Sequence, residues 1–199
     1  MINPLLAKLY GIILEKKLSI WLESEGKRAK IQAGFRRQHS ITDHLVVLRI
    51  IVEECRNDKS NLFCFFVDFR KAFNMVPRNN LWNRLEELNF PFELRAASIR
   101  LYENVISKLK INEGWSQDIK CNIGVKQGCP LSPTLFGIYI DKLEGCLEEA
   151  RCAGTILAGI VIILLLYVDD IFLLARCPSD LDKKLILLKD LCSTMDNSV

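Results

Sequence analysis

Ile160-Val161-Ile162-Ile163-Leu164-Leu165-Leu166-Tyr167-Val168-Asp169-Asp170-Ile171-Phe172-Leu173-Leu174-Ala175 is the stretch whose reading decides the fold. Two adjacent carboxylates interrupt a long apolar run. Burying such groups unpaired costs several kcal/mol each, so they belong at a solvated turn or beside a cation. Apolar strand, acidic tip, apolar strand is the pattern of a β-hairpin that lifts Asp169 and Asp170 out of a sheet. The run from Ile156 to Val168 is 13 residues long, against the ~20 that a membrane-spanning helix needs, and the aspartates end it. Its β-branched content predicts a buried strand and no membrane segment.

Working outward, Leu62-Phe63-Cys64-Phe65-Phe66-Val67 is a second continuous apolar run, and it ends in Asp68. It predicts a central strand buried on both faces, with a carboxylate at its C-terminal end. Positions 68 and 169 lie 101 residues apart, a separation that only a shared antiparallel sheet would close. Alone, Asp68 reads more readily as a turn or helix-cap residue, and a lone Tyr-x-Asp-Asp is a weak motif. Together they suit phosphoryl transfer from a nucleoside triphosphate, which uses two divalent cations ~3.5–4 Å apart. Magnesium keeps several waters, so a few carboxylates are enough to hold it.

The third segment is Gln127-Gly128-Cys129-Pro130-Leu131-Ser132-Pro133-Thr134-Leu135-Phe136. A glycine lets the backbone approach a ligand, prolines stiffen the loop, and a glutamine amide can bind a sugar or phosphate oxygen. An ordinary loop ahead of a helix explains the same residues equally well.

Helices and short strands alternate along the rest of the chain, without repeats or linkers, which predicts one structural unit. Leu5, Leu9, Ile12, Ile13 and Lys16 mark the face of a first helix ending near Glu23, and Gly26 to Gln38 is a loop or edge hairpin. Ser40-Ile41-Thr42-Asp43 has the capping-box arrangement ahead of Leu45, Leu48, Ile51, Val52 and Cys55. After the turn at Pro77, one helix presents Leu81, Leu85 and Leu88, and the next presents Leu94, Ala97, Leu101 and Val105. Lys108–Asn112 and Asp118–Ile123 alternate as a hairpin around Glu113-Gly114-Trp115. Ser132 and Pro133 open a helix running through Leu135, Ile138, Tyr139, Lys142, Leu143, Cys146 and Leu147. A last helix, capped by Ser179-Asp180-Leu181-Asp182, follows Leu185, Leu188 and Cys192.

Half of the 199 residues are hydrophobic, an ordinary globular proportion, and a formal charge of +3 is too small to imply nucleic-acid binding by itself. Lys27, Arg28, Lys30, Arg36 and Arg37 nonetheless crowd one stretch without an acid, as a solvated loop or a phosphate contact. The eight cysteines show no metal-ligand rhythm and no secretory signal precedes them, so free, mostly buried thiols and an intracellular location, nuclear or cytoplasmic, are expected.

Phe66-Val67-Asp68-Phe69-Arg70-Lys71-Ala72-Phe73, Gln127-Gly128-Cys129-Pro130-Leu131-Ser132-Pro133 and Tyr167-Val168-Asp169-Asp170 resemble motifs A, B and C of reverse transcriptases, in the family's order and spacing. Gln32-x-Gly34-Phe35-Arg36 followed by Ser40-x-Thr42-Asp43 is similar to the non-LTR (LINE-type) retrotransposon class in particular. The resemblance implies an α+β fold: the fingers and palm portion of a right-handed polymerase, with an antiparallel palm sheet backed by helices. Residues 1–60 would be approximately fingers, and 61–199 palm with interleaved fingers helices. The implied activity is RNA-directed DNA synthesis from dNTPs on a DNA primer and an RNA template.

On the matching positions, Asp68, Asp169 and Asp170 would hold two Mg²⁺ ions (Mn²⁺ being able to substitute), with the Phe69 carbonyl as a further ligand. Phe73, five residues after the first aspartate, would be the steric gate that excludes a 2′-hydroxyl. Gln127 and Gly128 would meet the incoming nucleotide or template base, and Arg36 the triphosphate or template. Asn74 stands where the class has aspartate, and Val168 where alanine is common. The resemblance also implies truncation at both ends, without the upstream basic fingers strand, the motif D lysine, the primer grip or the thumb. The alternatives are an inactive remnant with at most weak nucleic-acid binding, or a group II intron maturase or telomerase-like enzyme sharing the same catalytic parts.

Overall fold

The computed structural model describes residues 5–36, 38–111 and 114–196. In chain order, α1 (Leu5–Ser24), α2 (Ile41–Asn57) and β1 (Phe63–Asp68) are followed by α3 (Ala72–Met75), α4 (Arg78–Glu87) and α5 (Phe92–Tyr102). Four two-residue strands come next: β2 (Ile106–Ser107), β3 (Lys110–Ile111), β4 (Gly114–Trp115) and β5 (Ile119–Lys120). Then come α6 (Ser132–Ile140), α7 (Lys142–Glu149), β6 (Thr155–Leu157), β7 (Ile160–Ile162), β8 (Leu164–Tyr167), β9 (Asp170–Ala175) and α8 (Pro178–Asp196).

The chain forms two compact units. One takes Arg28–Arg70 with Ile140 onward; the other takes the chain up to Lys27 with Lys71–Tyr139. Each is assembled from separate stretches; two boundaries fall between elements, the third falls at the last residue of α6, and no composition shift marks them.

In the first of these units β9 lies at the centre of a three-stranded antiparallel sheet, in the order β1-β9-β8. The apolar run of β1 therefore does not make it a central strand. It is an edge strand, with Phe65 42 % and Phe66 76 % exposed, and a continuous apolar stretch does not distinguish the two placements. On one face Leu165 and Leu174 pack with Ile51 and Cys55 of α2, and Phe172 lies against that cluster. The opposite face carries the buried Leu164, Leu166, Ile171 and Leu173, and α8 contacts β9 and β1.

The run before the aspartates is not one strand. Ala158 (φ 48°) and Gly159 (φ 82°) turn it back on itself, so that β6 and β7 make their own hairpin before β8 begins. Two consecutive positive φ values are the signature of a type I′ turn, which glycine makes accessible. The capping box of α2 is present, with the Ser40 N–H donating to the Asp43 carboxylate at 2.9 Å. The basic stretch divides. Lys27 and Lys30 are exposed, Arg37 lies outside the described residues, and Arg28 is buried in an ion pair with Asp141 at 3.3 Å. The single helix expected over 135–147 is divided into α6 and α7 at Asp141, whose carboxylate accepts the Ala29 N–H at 3.2 Å.

The second unit is mainly helical. Helix α1 forms as predicted but buries Gly11, Leu14, Leu18 and Leu22 rather than the expected face, which leaves Leu5 82 %, Leu9 54 % and Ile13 47 % exposed. Two apolar faces compete on that helix, and periodicity alone does not rank them. Leu81, Leu85 and Leu88 are buried as expected, whereas α5 buries Ser98 and Tyr102. The hairpin after α5 consists of two short ladders, β2 with β5 and β3 with β4; its Asn112 and Glu113 lie outside the described residues. All eight cysteines are free, but only Cys55 and Cys129 are buried, and Cys64 is exposed on the edge strand. Among the described residues no helix is long and apolar enough to cross a membrane.

Lys184 of α8 is fully buried, an outcome its spacing did not predict. Its ammonium donates to the Ile163 carbonyl at 3.2 Å and to the Leu174 carbonyl, at the end of the sheet remote from the aspartates. Burial pulls its pKa down, while Cys152, Asp180 and Cys177 work the other way. Replacing Lys184 with Met keeps the stem but removes both charge-assisted hydrogen bonds, and should cost about 2 kcal/mol in urea unfolding followed by circular dichroism. An unchanged midpoint would show that the ammonium holds nothing.

Candidate active site

Antiparallel pairing of β1 with β9 runs from Phe63 opposite Ala175 to Asp68 opposite Asp170. Directly opposed residues in such a ladder point to the same face, with Cβ atoms ~4.5–5.5 Å apart, and like charges there repel. Asp68 and Asp170 are both exposed at the sheet end. On the same face Phe66 lies against Phe172, with ring centroids 4.2 Å apart. Tyr167 faces Asp170 across a two-residue turn made of Val168 and Asp169. The hairpin read from the sequence therefore exists, with Asp169 on the turn and Asp170 as the first residue of its return strand.

Val168 has φ 62° and Asp169 has no positive φ, the pattern of a type II′ turn. That first position is suited to glycine; a β-branched residue there is a backbone outlier, costing of the order of 1–3 kcal/mol.

The donor set fits a hard divalent cation. Asp68, Asp169 and Asp170 offer only oxygen donors, the kind magnesium and manganese take. The backbone opposes two of the carboxylates and leaves the third one residue away. Among the described residues no three His, Cys, Asp or Glu side chains are gathered closely enough to hold a metal as they stand.

Arg36 belongs to the same unit. Its guanidinium donates to the Ala29 carbonyl at 2.9 Å and the Gln32 carbonyl at 3.3 Å, so it braces the loop that carries it. Close by, burial and then the Glu148 charge push the Glu144 carboxyl up to about 7, while the Lys30 N–H it accepts opposes this.

The other unit holds Phe73, Gln127 and Gly128. The Phe73 ring is half-buried and stacks on Phe136 of α6, with centroids 4.6 Å apart and planes 14° from parallel. The Phe73 carbonyl accepts the Val125 N–H at 2.8 Å, two residues before Gln127. A Cβ on Gly124 would stand 2.6 Å from the Asn74 carbonyl oxygen, so this close approach requires glycine. Gln127 is exposed, in a turn closed by Cys129 N–H to the Lys126 carbonyl at 3.2 Å. Gly128 has φ 82° at its third position, as a type II turn demands. Ser132 donates to the Lys126 carbonyl at 2.6 Å and accepts from the Tyr102 hydroxyl at 2.7 Å, tying the loop to α5. Burial raises the Tyr102 pKa, so the phenol stays protonated as that donor.

Phe136 is the contact that sequence reasoning missed. It closes the Gln127–Phe136 segment without a role read for it, and only the fold shows it backing Phe73.

The sequence profile described as "Reverse transcriptase (RNA-dependent DNA polymerase)" matches residues 6–198. Relatives include a retrovirus-related Pol polyprotein from the type-1 retrotransposable element R2 of Nasonia vitripennis, 27% identical over 77% of this chain and 15% of that protein. The Xenopus laevis transposon TX1 149 kDa protein is 27% identical over 72% of this chain and 11% of its own length. The chain thus spans a small part of these relatives. Among solved structures, Candida albicans telomerase in complex with a fragment of telomeric RNA superposes with a TM-score of 0.67 at 15% identity, over 93% of this chain and 32% of that one. Apo telomerase from Candida tropicalis gives 0.62 at 16% identity, over 94% and 34%. These likenesses show a shared fold.

If Asp68 and Asp170 repel across the ladder, Asp170→Asn should stabilise the metal-free chain at pH 7 by a few tenths to about 1 kcal/mol at low salt. Thermal unfolding with chelator present checks this, and a destabilised variant would contradict the opposed-charge geometry.

Proposed function

The chain belongs to the reverse transcriptase (RNA-dependent DNA polymerase) family, and from that premise we propose that it is the fingers and palm portion of a polymerase that copies RNA into DNA, carried by a retrotransposon. The observation that carries this reading is the opposition of Asp68 and Asp170 at the open end of a sheet, with Asp169 on the adjoining turn. Directly opposed like charges repel, and a bound cation would relieve that repulsion.

Asp68, Asp169 and Asp170, with the Phe69 carbonyl, would hold two Mg²⁺ ions or their Mn²⁺ substitutes. Divalent cations so bound lower the pKa of an attacking hydroxyl and neutralise charge on a triphosphate. Phe73, braced by Phe136, would bar a 2′-hydroxyl and so select deoxynucleotides. Gln127 and Gly128 would meet the incoming nucleotide or the template base. For Arg36, hydrogen bonds to Ala29 and Gln32 favour shaping the fingers loop, from which it would act on the template or triphosphate. The partners are an RNA template, a DNA primer and dNTPs, and the setting is intracellular. Residues 1–60 would contribute mainly fingers, and 61–199 palm with interleaved fingers helices.

Primer extension on an RNA template, by the full polypeptide that carries this domain, tests the reading. Mg²⁺-dependent dNTP incorporation should fall at least ~10³-fold in Asp169→Asn, in line with losing a principal electrostatic element of a transition state. Phe73→Val should admit ribonucleotides. Incorporation that survives removal of all three carboxylates would overturn the proposal; absence of incorporation by the native sequence would leave the inactive remnant. Unchanged sugar selectivity would remove the gate assignment.

A further inference from the structure

The strained turn that carries Asp169 is gripped from outside the carboxylate cluster. Gln32 is 1 % exposed, and its side-chain oxygen accepts two main-chain N–H groups, from Gly34 at 2.8 Å and from Val168 at 3.1 Å. The flanking backbone continues the contact. Ala33 N–H donates to the Leu166 carbonyl at 3.0 Å and Leu166 N–H to the Ile31 carbonyl at 3.3 Å, so Gln32 pairs in parallel with Leu166 and extends the sheet beyond β8.

Gly34 closes the grip. A Cβ there would stand 2.5 Å from the Val168 nitrogen and 2.6 Å from its Cγ2, distances that no substituted residue tolerates without moving the turn. The gripping loop is itself anchored, by the Arg28–Asp141 ion pair and by the Ala29 and Lys30 N–H groups on Asp141 and Glu144 at the start of α7. Burial pushes the Asp141 carboxyl up, opposed first by the Arg28 guanidinium and then by the Ala29 N–H.

Strained backbone persists only where its surroundings over-determine it. Val168, at φ 62°, is such a residue, and the contacts that determine it come from Gln32 and Gly34. We propose that Gln32 and Gly34 are positioning residues that fix the Val168–Asp169 turn, and through it the presentation of the carboxylates. The clamp stands on geometry alone; its consequence for turnover rests on the polymerase reading above.

Residue-resolved amide hydrogen exchange on the 199-residue chain tests the clamp without reference to activity. In Gln32→Ala the Val168 amide should exchange about 10-fold faster or more, the loss expected for one hydrogen bond, while the amides of Leu173 and Leu174 keep their rates. Gln32→Glu, which retains an oxygen acceptor, should restore protection. If Gln32→Ala does not fold, Gly34→Ala should produce the same local acceleration with Gln32 in place. Unchanged Val168 exchange, or equal acceleration through the whole sheet, overturns the proposal.

The second arm uses primer extension by the full polypeptide. Gln32→Ala should lower kcat about 100-fold, the scale of a small misplacement of catalytic groups, with KM for dNTP within about 3-fold and Gln32→Glu recovering most of the loss. A rise in KM with kcat intact would overturn the positioning role. If the native polypeptide shows no turnover, the polymerase reading falls while the exchange experiment still decides the clamp.

Discussion

Six cross-strand pairs between Phe63–Asp68 and Asp170–Ala175 fix where two like charges must meet. Slipping the register by one residue would turn every side chain of β1 to the other face and take Asp68 away from Asp170. The register is held by packing well away from the acids. Leu165 and Leu174 lock one face against α2, and α8 packs on β9 and β1, with Lys184 tying the Ile163 and Leu174 carbonyls at the far end. The opposition of Asp68 and Asp170 at the open end of the sheet is thus held by apolar burial and hydrogen bonding at its closed end.

The same logic extends to the turn. Val168 is an unfavourable residue for its conformation, and the loop at Gln32–Gly34 supplies the hydrogen bond and the close approach that keep it there. Arg36 and the Arg28–Asp141 pair serve that loop from behind. Basic residues that read as a solvated or phosphate-binding cluster are in part the internal frame of a docking loop.

What the sequence made legible follows from how directly each signal maps onto geometry. The hairpin at Asp169-Asp170 was legible because charge cannot be hidden inside an apolar run, and the antiparallel partner at Asp68 because a second such run ended the same way. The edge position of β1 was not, since apolar content reports burial in the average protein and not the neighbour a strand has here. The turn at Ala158-Gly159 was hidden inside what looked like one strand. The buried face of α1 was ambiguous because both faces are apolar. Among site residues, Asp68, Asp169 and Asp170 stand at the expected sheet end, and Phe73 and Gln127 share a unit in which Phe136 backs the ring. The supporting roles of Phe136, Gln32 and Lys184 depend on contacts across 63, 136 and 10 to 21 residues of sequence, which no local pattern encodes.

Paramagnetic broadening by Mn²⁺ addresses the central claim most directly, because one experiment reports on both strands at once. Titrating Mn²⁺ into the isotopically labelled chain should broaden the amides of Asp68, Phe69, Asp169 and Asp170 together and saturably, with the effect lost in Asp68→Asn. Broadening that is unsaturable, that centres on other acids such as Asp180 and Asp182, or that reaches the turn without reaching Asp68 would contradict the account.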